Sequence, residues 1–487
     1  MTTECKDKQI EFQVSGSRPL VADFGGGQIS SDGGALLLRE VDRAMGFLDR
    51  FALCFTDHRD PERIEHSAAH LVAQRVYALA LGYEDLNDHE TLRRDPLLAA
   101  LVGKPDPSGE DRARERDKGA ALAGKSTLNR LELTPAGATA QSRYQKIVCD
   151  EEKVERFFVQ SFLDVHASAP ETITLDLDAT DDPLHGNQEG RFFHAYYGGY
   201  CYLPLYVFCG DFLLASKLRP ANMDASHGAL EEVQRIAAQI RESWPKVRII
   251  LRADSGFMRE EIMAWCERES QEGRPTDYVF GLARNSRLAQ EIERQLEHAR
   301  RKHLATNKPR RCFRDFRYRT RNSWSRTRRV VGKAEWMDKG ANPRFVVTSL
   351  PPQEMMARDL YEKLYCARGE MENRIKEQQL DLFADRTSAA TMRANQLRLW
   401  FSSVAYVLLN HLRHAGLKGT AMEQAQVGTI RVKLLKVGAL VRLSVRRVWV
   451  RLSSAWPQAA LFATVVKNLR RAYPLRAHPL RAHPLRT

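Results

Sequence analysis

Three acidic positions in this chain stand where an unpaired charge is expensive. The run LDLDAT sets Asp176 and Asp178 in an otherwise apolar, alternating stretch, so both face the same side of a strand. The run IILRADSGF ends on Asp254, directly before Ser255-Gly256. In YCARGEMENRIK, Tyr365, Arg368 and Glu372 fall within about 60° of one helix face at roughly 100° per residue, and Lys376 lands on that face too. Carboxylates at the ends or centres of adjoining core elements are the ligands that Mg²⁺ takes, and the matching chemistry is phosphoryl transfer. Read singly, each has a plainer account. Asp254 alone caps a turn or pairs with an Arg, and the helical face alone is a solvated salt-bridge stripe. The joint order favours a shared site: Asp on an early strand, Asp ending a later strand, Glu on a late helix.

Those residues need a sheet to hold them. ETITLDLDAT (Glu171 to Thr180) has the strand period of two, and YCYLPLYVFCG and DFLLASKLRP continue as strands around a Gly210-Asp211 hairpin turn. The amphipathic helix HGALEEVQRIAAQIRESW, the strand KVRIILRADSG, the helix REEIMAWCERE and the strand DYVFGLAR follow. This order predicts an α/β fold, a mixed sheet flanked by helices. Upstream, an extended start to about residue 30 contains Gly25-Gly26-Gly27. Helical spacing then runs from about Gly33 to Leu133, interrupted by a polar loop at Pro105 to Lys118. Within it, STLNRLEL reads as a helix capped by Ser126 or Thr127. From Arg301 to Lys333 there are thirteen Lys or Arg against one acidic residue, Asp315, with Phe313, Phe316, Tyr318 and Trp324 interleaved. That excess, on alternating strands, predicts a DNA-facing basic β-ribbon bearing Arg317, Arg319, Arg321, Arg326, Arg328 and Arg329. Trp324 is either a base-stacking ring or a core residue. Helix returns from Met355 to about His414, and the last residues repeat PLRAH (Pro474 to Thr487), which reads as an unstructured tail.

A chain of 487 residues exceeds one hydrophobic core and should form roughly two to four domains. The expected divisions are a helical N-terminal DNA-binding domain at 1–165, the catalytic core at 166–300 and 353–415, the basic β insertion at 301–352, and a basic C-terminal region at 416–487. The net charge of +14 points to a polyanion, nucleic acid first. The eight cysteines have no zinc spacing and read as reduced thiols, no signal peptide is visible, and the apolar run near Trp400 to Leu409 is too short for a bilayer. No membrane role is expected. His185 and His194 are expected to be hydrogen-bonding loop residues, since Mg²⁺ sites favour oxygen. The basic stretch Arg431 to Arg451 suits either non-specific phosphate contacts or packing against a partner.

Taken together, these motifs resemble the DDE transposases of bacterial insertion sequences, whose core is ribonuclease H-like. Tyr365-x-x-Arg368-x-x-x-Glu372 matches the signature of the subgroup with a β-rich insertion before its catalytic Glu. LDLDATDDPLHGNQEGRFFHAYYGGYCYLPLYVFCG, LRADSGF and RGEMENRIKEQQ are similar to the 1380-type family, and the likeness runs from about Phe24 to His414. The resemblance implies that Asp178, Asp254 and Glu372 bind two Mg²⁺ ions, with Mn²⁺ as the alternative. Asp178 is preferred to Asp176 because the family's Asp precedes a small residue and Thr, here Ala179-Thr180. Tyr365 and Arg368 would contact DNA phosphates. The wider signature has Lys seven positions after the Glu, where this chain has Gln379, so either Lys376 substitutes or that contact is missing. The implied partners are double-stranded element ends (terminal inverted repeats), target DNA and a second copy of the chain, in a cytoplasmic, nucleoid-associated setting. The implied activity is strand cleavage followed by joining of the 3′ ends to target DNA. A nuclease without strand transfer and a non-catalytic DNA-binding derivative are the competing readings.

Overall fold

The computed structural model describes residues 9–12 and 20–473. The PLRAH repeat lies outside the described residues. The chain forms two compact units, one of Met1–Val148 with Leu408–Thr487, the other of Cys149–Val407.

The second unit is built on a nine-stranded mixed sheet. Its strands are β1 (Thr172–Ala179), β2 (Leu205–Cys209), β3 (Phe212–Lys217), β4 (Arg248–Ala253), β5 (Thr276–Leu282), β6 (Arg310–Tyr318), β7 (Arg328–Met337) and β8 (Arg344–Thr348), with a short ninth, Gly340–Ala341, on β7. The order across the sheet is β3-β2-β1-β4-β5-β8-β7-β6. The pairs β1·β4 and β4·β5 are parallel, the remainder antiparallel. Helices cover both faces, as strands with apolar residues on both sides require. Leu175, Leu177, Ile249, Leu251, Tyr278 and Phe280 pack on one face against Val233, Ile236 and Ile240 of α1 (Ala229–Ser243) and Ile262, Met263 and Cys266 of α2 (Glu260–Gln271). On the other face Ile250, Val279, Val331 and Val346 meet Leu360 and Tyr361 of a late helical stretch.

The YCYLPLYVFCG segment is two strands rather than one. Pro204 lacks an N–H for the ladder, and Gly199–Tyr202 instead joins Asp182–Pro183 and Phe192–His194 in a small three-stranded sheet. The Gly210-Asp211 hairpin is present, with Gly210 at φ +58°. The basic segment is not a separate layer, because β6, β7 and β8 extend the main sheet beyond β5.

In the first unit, helices Leu36–Met45, Phe47–Ala52, Ala68–Leu81, Pro96–Val102 and Lys125–Glu132 pack around a core that includes Leu37, Phe47, Leu71, Val76 and Leu98. Residues after 408 join them: Ile29–Ser30 pairs with Ala439–Leu440, and a Cβ at Gly34 would meet the Leu434 carbonyl oxygen at 1.8 Å. The cap of Lys125–Glu132 is Gly124, not Ser126 or Thr127, because the Glu90 carboxylate already accepts the Lys125 N–H at 2.9 Å and draws the helix start forward. The seven described cysteines are free thiols. No described helix is long and apolar enough to cross a membrane.

Candidate active site

The parallel register of β1 and β4 sets the geometry. Leu177 is partnered with Ala253, the last pair in the ladder, so Asp178 and Asp254 come next, side by side at the carboxyl ends of adjacent parallel strands. That end of a parallel sheet is where α/β proteins bind ligands. One step earlier pairs Asp176 with Arg252, whose guanidinium bonds both Asp176 oxygens at 2.5 and 2.7 Å. Both are buried. The two aspartates that share a strand face therefore differ: Asp176 is tied to Arg252, whereas Asp178 lines an open cavity.

Glu372 comes from α3 (Gly369–Lys376), the middle of a continuous but uneven helical stretch. Wide π-helical turns at Leu360–Tyr365 and Glu377–Asp381 and a tight turn at Cys366–Arg368 break the even 100° advance that the sequence reading assumed. Arg368 and Glu372 still meet, at 2.7 Å, and Arg368 also approaches Asp178 at 3.5 Å. Tyr365 is displaced from the cavity lining. Its hydroxyl lies over β5, so close to Gly281 that a Cβ there would meet it at 2.6 Å.

Asp178, Asp254, Glu372, Arg368, Lys376 and Gln379 line one open cavity of about 550 Å³ together with His194, Tyr196 and Tyr197. Burial, with the nearby charges of Asp254 and Glu372 added, raises the Asp178 carboxyl to about 6 in spite of Arg368. Among the described residues no group of three or more His, Cys, Asp or Glu stands ready-made to hold a metal ion. Arg368 bridges two of the three carboxylates. The donor set is nonetheless one a hard divalent cation takes: carboxylate oxygens, crowded enough that one is raised well above its ordinary range, in a cavity with room beside them.

The Lys position of the wider signature has a different use here. The Gln379 side-chain amide donates to the Asp182 carboxylate at 3.0 Å and to the Asp181 carbonyl at 3.1 Å. Asp182 is fully buried, and burial pushes its carboxyl up to about 8. Gln379 therefore supports the loop after Asp178, and Lys376, exposed at the cavity, has no acidic partner among the described residues. The His194 Nδ1 is buried without a hydrogen-bond partner among the described residues, and its ring lies against Tyr197 at 4.9 Å. His185 is exposed.

The basic ribbon separates into two sets. Arg317, Arg319, Arg321 and Arg326 are exposed. Three other positions expected to face DNA are interior. Arg328 is 3% exposed and bonded to Glu260 and Glu267, and Arg329 is 4% exposed and bonded to Asp315 at 2.6 Å. Trp324 is a core residue, buried against Tyr318. Buried arginines need carboxylate partners, and Glu260 and Glu267 on α2 are distant in sequence. Arg252, Gly281 and the structural use of Gln379 were missed for the same reason. Only Arg252 left a trace, sitting two residues before Asp254 on the same strand face.

A mixed α/β sheet with two aspartates at adjacent strand ends and a glutamate on a covering helix is an arrangement that suits metal-assisted phosphoryl transfer. The family described as transposase DDE domain group 1 matches residues 12–474, so the chain belongs to it. No curated protein matches.

Proposed function

We propose that this DDE transposase binds the inverted-repeat ends of an insertion sequence of the 1380 type, cleaves them, and joins their 3′ ends to target DNA on a ribonuclease H-like core. The observation that carries the reading is the β1·β4 register, which brings Asp178 beside Asp254 in one cavity with Glu372. Those three side chains would hold two divalent cations, Mg²⁺ or Mn²⁺, which supply activation of the attacking oxygen and stabilisation of the leaving one. Arg368, released from Asp178 and Glu372, donates to a non-bridging oxygen of the scissile phosphate, and its planar fork suits that contact. Lys376 binds a neighbouring phosphate. Tyr365 fixes the strand end that carries Asp254 by filling the space over Gly281. Arg317, Arg319, Arg321 and Arg326 track the backbone, and a homodimer presents two sites to two ends.

The test is an assay with a pre-cut element end, a plasmid target and Mg²⁺. Asp178→Ala, Asp254→Ala and Glu372→Ala are each expected to abolish nicking and joining while end binding persists. Nicks without joined product from the native chain favour a plain nuclease. Cleavage retained by any of the three variants removes that residue from the triad.

A further inference from the structure

The positive charge of this chain is concentrated at one end. From Gln424 to Thr487 there are thirteen Lys or Arg and no Asp or Glu, which leaves the preceding 423 residues near neutral, at +1. Part of this charge is displayed on a hairpin of the first unit, β9 (Ala439–Ser444) and β10 (Arg447–Leu452), joined by Val445-Arg446.

The register decides which side chains share a face. Leu440 is paired with Arg451, Arg442 with Trp449, and Ser444 with Arg447, so these six point one way. Ala439 and Val441 point the other way and are buried at 1% and 2%. The outward face exposes Arg442, Arg447, Arg451 and Trp449, with Arg446 in the turn beside a fully exposed Val445. None of the four arginines has an acidic partner among the described residues, whereas Arg328 and Arg329 in the other basic segment are tied to carboxylates. The Arg447 guanidinium lies over the Trp449 ring at 5.8 Å, which keeps the ring flanked by charge at the surface.

We propose that this hairpin is a second duplex-DNA contact surface, separate from the carboxylate cavity. Arg442, Arg446, Arg447 and Arg451 grip backbone phosphates, and Trp449 lies against sugar or base edges. A two-stranded ribbon fits the major groove of B-form DNA, and arginines without internal partners gain most from phosphates because each contact releases a counterion. The inference rests on DNA as the partner, as proposed above, but not on the acidic triad.

The test uses the full chain in EDTA with a short mixed-sequence DNA duplex, following affinity by fluorescence anisotropy across a KCl series. Joint replacement Arg442→Gln, Arg447→Gln and Arg451→Gln is expected to weaken binding and to flatten the slope of log affinity against log salt by about 2.7, at ~0.9 per lost phosphate contact. The corresponding triple Lys variant keeps the slope, and Trp449→Ala weakens binding at unchanged slope. A triple Gln variant with native slope and affinity overturns the proposal. So does binding of the full native chain to phosphatidylserine vesicles in preference to the duplex, lost in the triple Gln variant. A native chain that binds no duplex at low salt overturns the DNA reading beneath it, which the hairpin variants alone cannot do.

Discussion

Replacing Asp178 by Asn should make the metal-free protein more stable at pH 8 while ending cleavage. Burial, then the charges of Asp254 and Glu372, raise this carboxyl from 3.8 to about 6 against the pull of Arg368. A folded-state value above the unfolded one means that the folded chain prefers the protonated acid. Ionisation therefore costs stability in full above pH 6, and the cost is gone below about pH 3.8. At about 1.36 kcal/mol per pH unit the penalty is at most ~3 kcal/mol. The side chain is 17% exposed, so solvent trims this toward ~2 kcal/mol. Asn keeps the shape and removes the charge. In urea unfolding with EDTA, the variant should gain ~2 kcal/mol at pH 8, a lead that falls to about half at pH 5. Millimolar Mg²⁺ should raise the melting temperature of the native chain more than that of the variant, because bound cations relieve the same repulsion. An Asn variant less stable than the native chain at pH 8, or a gain that does not change with pH, refutes the reasoning.

Arg252→Met leaves the Asp176 carboxylate buried and unpaired, and should cost about 3–5 kcal/mol in urea unfolding, far more than any exposed arginine of β6. Gln379→Ala removes both donors from the loop after Asp178 and leaves fully buried Asp182 without a partner, for an expected loss of about 1–3 kcal/mol by the same measurement. Gly281→Ala sets a methyl 2.6 Å from the Tyr365 hydroxyl and 2.9 Å from the Ser255 nitrogen. It should lower both stability, by about 1–3 kcal/mol, and the cleavage rate, and Tyr365→Phe in the same chain should restore part of each. Additive stability losses in that double variant would show that the two residues do not press on each other.

Much of the nine-stranded sheet could be read from its pattern. Thr172–Ala179 alternates because one side packs on α1 and α2, and the Gly210 turn is legible because glycine takes a positive φ there. Periodicity could not separate Asp176 from Asp178, since residues two apart on a strand share a face; the difference is the partner across the ladder, Arg252. The glutamate helix was recognisable from Arg368 and Glu372, yet its uneven turns are not written in local spacing, and its start packs Leu360 and Tyr361 on Val279 and Val331 of β5 and β7. A count of arginines in 301–333 overstated the DNA-facing surface for a related reason. Charge is visible in a sequence, but Glu260 and Glu267, the carboxylates that neutralise Arg328, are brought to it by the fold.

The first unit is assembled from two segments that flank the second in the chain: the segment around Gly33-Gly34 needs the backbone near Leu434 to close against it. On a ribosome, Cys149–Val407 emerges as an uninterrupted stretch and can fold while translation continues. The helices before it wait, with apolar surface uncovered, until the segment after Leu408 has been made. A message cut short before Leu408 would thus yield a product whose early helices lack their closing partner, so that unit is completed only once the segment after Leu408 has been made.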